Sequence, residues 1–179
     1  LQDSPAGKYF RENPHPLALG QISFVFKGQP LTPDAISVID QKLDLWTGVV
    51  RSTYTLAGQP VIVETAAHSA LSVVAAKIES PLLANGDLQV RFHFSYAHDV
   101  AVKNKPPLVW DKPDRHRTTI ARRGENFSQL ARTVDDATYF ANVQWEGAGA
   151  LTEAAPHDFR LAAKGTNTLA ATPGLSATR

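Results

Sequence analysis

From Leu88 to Tyr96 the chain alternates without a break: Leu88, Val90, Phe92, Phe94 and Tyr96 are apolar, while Gln89, Arg91, His93 and Ser95 are polar. Successive side chains of an extended strand point to opposite sides. A period of two therefore predicts an antiparallel strand with one face on a core and one wetter face. Residues 21–27, with Ile22, Phe24 and Phe26 inward, and 49–56 read the same way. Further candidate strands are 41–46, 60–66, 71–79, 116–123, 126–133, 137–146 and 157–163. Thr47-Gly48, Ala57-Gly58, Asn85-Gly86, Arg123-Gly124 and Asp135-Asp136 fall between runs, where hairpins need turn residues. Such spacing predicts an all-β protein, a large antiparallel two-sheet sandwich with little helix. One helical turn is expected over 33–40, capped by Thr32 with Pro33 at its first position.

A domain of this size removes roughly 70% of its unfolded surface from water and needs no staple. Cysteine and methionine are both absent, which excludes disulfides, thiolate metal sites and cysteine nucleophiles but leaves the compartment open. With 18 basic and 17 acidic residues the net charge is +1, so neither nucleic acid nor an anionic membrane is an expected partner. No apolar run approaches the ~20 residues of a membrane span. The chain opens at Leu1 without a signal segment, and a removed leader upstream is compatible with that start.

Two stretches break the alternation. Residues 97–115 carry three prolines, several charges and Trp110, and a loop of this length is uncommon unless it serves a function or is disordered. The tail from Lys164 is small and polar. It reads as a last weak strand or a linker, giving a sandwich over 1–163 and an appendage over 164–179.

The sequence contains no GxSxG elbow, Walker loop, GxGxxG or HExxH, so it offers no self-contained active site. Glu64 and His68 stand four apart on a strand running into a turn, where they would not share a face. Asp111, Asp114 and His116 cluster in the long loop, either as an acid–base or metal group or as solvated turn residues. Trp110 in that loop either stacks on a sugar or a neighbouring domain, or anchors the loop to its own core. Trp46 and Trp145 are read as core residues within strands. The basic residues of the loop lack interleaved aromatics and read as a solvated surface.

The runs DQKLDLWTGVV (40–50), STYTLAGQPVIVETAAH (52–68) and VVAAKIESPLL (73–83) carry a family resemblance. With Leu43, Asp44, Leu45, Thr47, Gly48, Val63, Glu64, Thr65 and His68, they resemble the N-terminal β-sandwich domain of glycoside hydrolase family 65 and related six-hairpin glycosidases. YFRENPHPLALGQISFVF (9–26) and WDKPDRH (110–116) extend the similarity over about 9–163. The resemblance implies a galactose mutarotase-like super-sandwich whose catalytic acid lies on a separate (α/α)6 barrel, the expected partner domain. It also implies no catalytic residue, metal or cofactor in this stretch, Trp110, Asp111 and His116 as candidates for contact with an oligosaccharide or the barrel, and a periplasmic or extracellular location.

Three functions follow. The first is an accessory domain of a glycoside hydrolase or phosphorylase. The second is an independent glycan- or protein-binding sandwich, which needs an exposed aromatic platform such as Trp110 with Tyr96. The third, by fold analogy, is a mutarotase-like epimerase using His93 and Glu64.

Overall fold

The computed structural model describes residues 4–7, 18–97 and 108–177. Among these residues, thirteen strands form two antiparallel sheets. The smaller contains β1 (Gln21–Phe26), β2 (Gln29–Pro30), β7 (Leu88–His93), β11 (Gly149–Ala155) and β12 (Asp158–Ala163), in the order β11-β12-β7-β1-β2. The larger contains β3 (Ile36–Asp44), β4 (Val49–Leu56), β5 (Gln59–Ala67), β6 (Val74–Glu79), β8 (His116–Arg123), β9 (Phe127–Val134), β10 (Ala137–Glu146) and β13 (Thr168–Ala177). Its order is β3-β4-β5-β6-β13-β10-β9-β8.

The core lies where the two inner faces meet. Leu88, Val90, Phe92 and Phe94 from the small sheet pack against Leu130, Ala141, Val143, Trp145 and Leu169 from the large one. The alternation that defines β7 thus points as expected, with Ile22, Phe24 and Phe26 on the same inner face opposite Phe92, Val90 and Leu88. Phe24 and Phe26 pack on the core, whereas Ile22 is half exposed at an open end of the sandwich. Two-residue turns set the hairpin registers. Lys27-Gly28 and Ala57-Gly58 take positive φ at both central residues, the twist-matched form for tight hairpins. Between β6 and β7 the chain changes sheets through a helical turn, Pro81–Ala84, whose first turn is capped by Ser80 accepting the Leu82 N–H at 3.3 Å. That turn buries Leu82 and Leu83.

Several sequence expectations are corrected. The helix expected over 33–40 is only a 3-10 turn at Pro33–Ala35, because Ile36 onward pairs with β4 and the ladder claims the backbone. Trp46 is not a core residue. Asp44 accepts the N–H groups of Trp46 and Thr47, the chain turns there, and the indole is 98% exposed. Gly149–Ala155, absent from the expected strands, is a strand that starts where a Cβ on Gly149 would sit 2.9 Å from Ala162 O. The small-residue tail forms β13, a ten-residue strand in the middle of the larger sheet, paired with β6 on one side and β10 on the other. Much of the loop expected at 97–115, residues 98–107, lies outside the described residues.

Two outcomes are expected in urea unfolding. Phe92→Ala should lower stability by about 3 to 5 kcal/mol, the cost of emptying a packed aromatic site. Truncation after Ala163 should abolish the cooperative transition, because it removes the strand that joins the two halves of the larger sheet; a cooperative transition in the truncated chain would show that β13 is dispensable.

Candidate functional site

β9 carries an arginine in a core register. Ser128, Leu130, Arg132 and Val134 share its inward face and all are buried, Arg132 to 0% exposure. A guanidinium cut off from water must find protein acceptors for its donors. Arg132 Nη2 donates to Ser95 O, and Nη1 donates to His116 Nδ1 (2.8 Å) and to Thr118 Oγ1 (3.0 Å). The rings of Phe94 and Tyr139 lie 5.2 and 5.9 Å from its central carbon. Among the described residues these partners include no carboxylate. Burial lowers the Arg132 pKa and raises that of Tyr139, whose hydroxyl donates to Leu19 O at 2.9 Å.

The acceptors fix the tautomers around this charge. A guanidinium can only donate, so His116 Nδ1 accepts and its proton sits on Nε2. His157 Nε2 donates to Pro113 O at 2.9 Å, leaving Nδ1 to accept the Thr118 hydroxyl proton at 3.0 Å. The two imidazoles stack with centroids 3.7 Å apart. Burial first, then the Arg132 charge and His157, hold His116 down at about 4. Tyr96, expected as an exposed platform, is buried beside this network. Its hydroxyl donates to Asp135 Oδ1 (2.8 Å) and accepts from Arg115 Nη2 (3.0 Å).

On the outer face of β7, His93 stands opposite Asp158 of β12, and Trp110 stacks on His93 with centroids 4.1 Å apart and planes 16° from parallel. Asp158 Oδ2 accepts from Arg91 Nε (3.0 Å) and Nη2 (2.9 Å), with Arg160 Nη2 at 3.9 Å. Asp158 Oδ1 is buried without a partner among the described residues. Burial, and secondarily the Arg91 charge, bring His93 down to about 4, against the pull of Asp158. Trp110 remains 42% exposed above this group.

An apolar cleft of about 390 Å³ opens elsewhere between the sheets, lined by Ile22, Phe92, Phe94, Val143 and Leu175. Phe94 is shared: one wall of the cleft, and a ring beneath Arg132. A Cβ on Gly20 would meet that ring at 2.8 Å, so only glycine lets the chain pass there.

The same fold is found in a solved chain named "Putative kojibiose phosphorylase from human microbiome", with a TM-score of 0.53 and 10% identity. The likeness covers 88% of this chain and 22% of that one, so this chain spans about a fifth of the length of the structure it matches. At that identity the likeness is one of fold. No family model and no curated protein matches the sequence.

The geometry separates the residues singled out by sequence. Trp110 lies on the outer face of the small sheet, with Asp111 exposed beside it in the chain, while His116 is drawn into the Arg132 network. Glu64 pairs with Arg51, and His68 Nδ1 accepts the N–H groups of Ala70 and Leu71 at 3.0 Å each, so these two make a salt bridge and a turn. Val61 and Val63 face the core, which turns Glu64 outward on the larger sheet, across the sandwich from His93. The epimerase pairing is therefore not assembled. Sequence reasoning does not single out Arg132, Thr118, His157 or Asp158, although the alternation of β9 does place a charge in line with Leu130 and Val134. Among the described residues no group of three or more His, Cys, Asp or Glu side chains is placed to hold a metal, and Asp158 is the one buried carboxylate. Fixed tautomers and a carboxylate committed to arginine make these clusters anchors for the segment around Trp110.

The depressed histidines predict a pH dependence. Between their ordinary 6.5 and about 4, the unfolded chain binds protons that folded His93 and His116 refuse, so stability falls as pH drops through that window and levels off below it. Urea midpoints measured from pH 7 to 4 should decline, and a His93→Gln/His116→Gln variant should show a shallower decline. Arg132→Met should cost several kcal/mol, since it leaves Ser95 O, His116 and Thr118 without their donor.

Proposed function

We propose that this chain is a non-catalytic N-terminal β-sandwich domain of a bacterial carbohydrate-active enzyme, a glycoside hydrolase or phosphorylase of the family 65 type. The observation that carries this reading is the likeness of fold to a fifth of a much longer chain named as a phosphorylase. The polar clusters agree with it. Glycoside cleavage uses two carboxylic groups flanking the bond, one of them held protonated. Here the buried carboxylate, Asp158, is bound to Arg91, and His116 serves as an acceptor for a buried arginine.

In this reading the general acid lies on the partner (α/α)6 barrel, and the sandwich contributes a braced aromatic surface. Trp110, backed by His93, turns toward an oligosaccharide or the barrel itself, with Asp111 beside it. The exposed indole also favours the second reading, an independent glycan-binding module.

The chain alone is expected to show no phosphorolysis of kojibiose and no hydrolysis of aryl glycosides. Turnover that is lost on substituting one of its own carboxylates would overturn the proposal. Titration with α-linked gluco-oligosaccharides, followed by the indole N–H resonance of Trp110, should shift that signal, and Trp110→Ala should remove the binding while changing stability by about 1 kcal/mol or less. Unfolding by Trp110→Ala would instead make the indole a plug for its own loop.

A further inference from the structure

β3 is the outermost strand of the larger sheet, and among the described residues only β4 pairs with it. Among the described residues its second edge presents unpaired backbone groups alongside exposed Val38, Ile39 and Leu43, with Leu45 and Trp46 at the hairpin tip. Such an edge is a template for another strand, and natural proteins usually guard it with charge. Here the charges are ordered: the edge reads Ile39-Asp40-Gln41-Lys42-Leu43.

In an antiparallel pair of identical strands related by a two-fold axis, residues equidistant from the centre face each other. With the axis at Gln41, Asp40 faces Lys42 of the second copy and Lys42 faces its Asp40, while Ile39 faces Leu43. Moving the centre to Asp40 or to Lys42 sets that charge against itself. Moving it midway between residues, to either side of Gln41, sets Lys42 against Ile39 or Asp40 against Leu43. Centring on Leu43 would set Lys42 against Asp44, but β3 ends at Asp44 and only three of its residues would then pair, so the register centred on Gln41 is the one that joins opposite charges and apolar neighbours along the strand. We propose that this chain forms a two-fold symmetric dimer by pairing β3 with β3 of a second copy, centred on Gln41.

The surrounding structure supports that register. Asp40 and Lys42 already lie 3.0 Å apart on one face, with their side chains 60% and 77% exposed, so two copies assemble four alternating charges. The Gln41 amide is turned back to Ser52 Oγ at 2.7 Å, which clears the centre of the edge. At the upstream end, Val38 and Ile39 together oppose Tyr54, a bulge in which Val38 holds φ +51°. A bulge interrupts the ladder, so it stops the strands from sliding past the regular stretch that follows it.

Sedimentation equilibrium over a concentration series tests this. The 179-residue chain should approach twice its 19.4 kDa mass. Asp40→Lys and Lys42→Glu should each weaken self-association at least tenfold, because each sets like charges face to face. An equimolar mixture of the two variants should recover association, since the lysine introduced in one then meets the glutamate introduced in the other; both positions are exposed, and this recovery also shows that the variants fold. A monomer at every concentration would overturn the proposal and leave the edge to a different protein. Dimers indifferent to both substitutions, or variants that fail to associate when mixed, would overturn it as well.

Discussion

The larger sheet is held in one piece by the pairing of β13. β3 to β6 form one block of consecutive hairpins and β8 to β10 another, and among the described residues the two blocks meet only through Thr168–Ala177. The core draws on both blocks, Leu56, Val61 and Ile78 from one and Leu130, Val143 and Trp145 from the other, and β13 holds these side by side. Leu169 and Ala171, both buried, fill the seam between Ile78 on one side and Trp145 on the other. The small sheet cannot compensate, because its inner face is covered by the surface that β13 completes. Long-range pairing of this kind makes folding wait on contacts distant in sequence, so the chain is expected to fold as a unit and slowly for its size.

Around that frame, a buried positive charge organises one end. Arg132 draws in the carbonyl of Ser95, the ring of His116 and the hydroxyl of Thr118, and through Thr118 it sets His157. These partners come from β8, from the segment after β7 and from the turn before β12, so one guanidinium ties both sheets and the Trp110 segment together. Solvating a cation with neutral acceptors leaves its charge uncompensated. That charge adds to burial in holding the His116 ring below the ordinary range of an imidazole.

The layout is legible in the sequence wherever one face of a strand is buried. β7, β9 and β10 alternate cleanly because one side of each lies on the core. β3 misleads because both of its faces are exposed, so its pattern carries no inward signal, and Thr32-Pro33 gives a local helix cue that the ladder overrides. β13 reads as weak because alanine, threonine and glycine suit a crowded central position but lack the apolar bulk that marks a strand. The site is less legible. Trp110 stands out as an aromatic in a polar loop, yet its partner His93 lies on another strand, and such a pairing is decided by topology that spacing does not encode. Arg132 leaves a trace, a charge in an inward register, but nothing local names the acceptors that make it tolerable.

The central place of β13 also decides how the molecule bears load. A tension applied beyond Ala177 enters the sheet at its middle strand, along two antiparallel ladders at once, and must shear both before anything gives way. An edge strand such as β3 is held by a single ladder. Whatever is tethered beyond that strand is therefore anchored to the mechanically firmest line of the sandwich, while the hairpin carrying Trp46 stays free to yield.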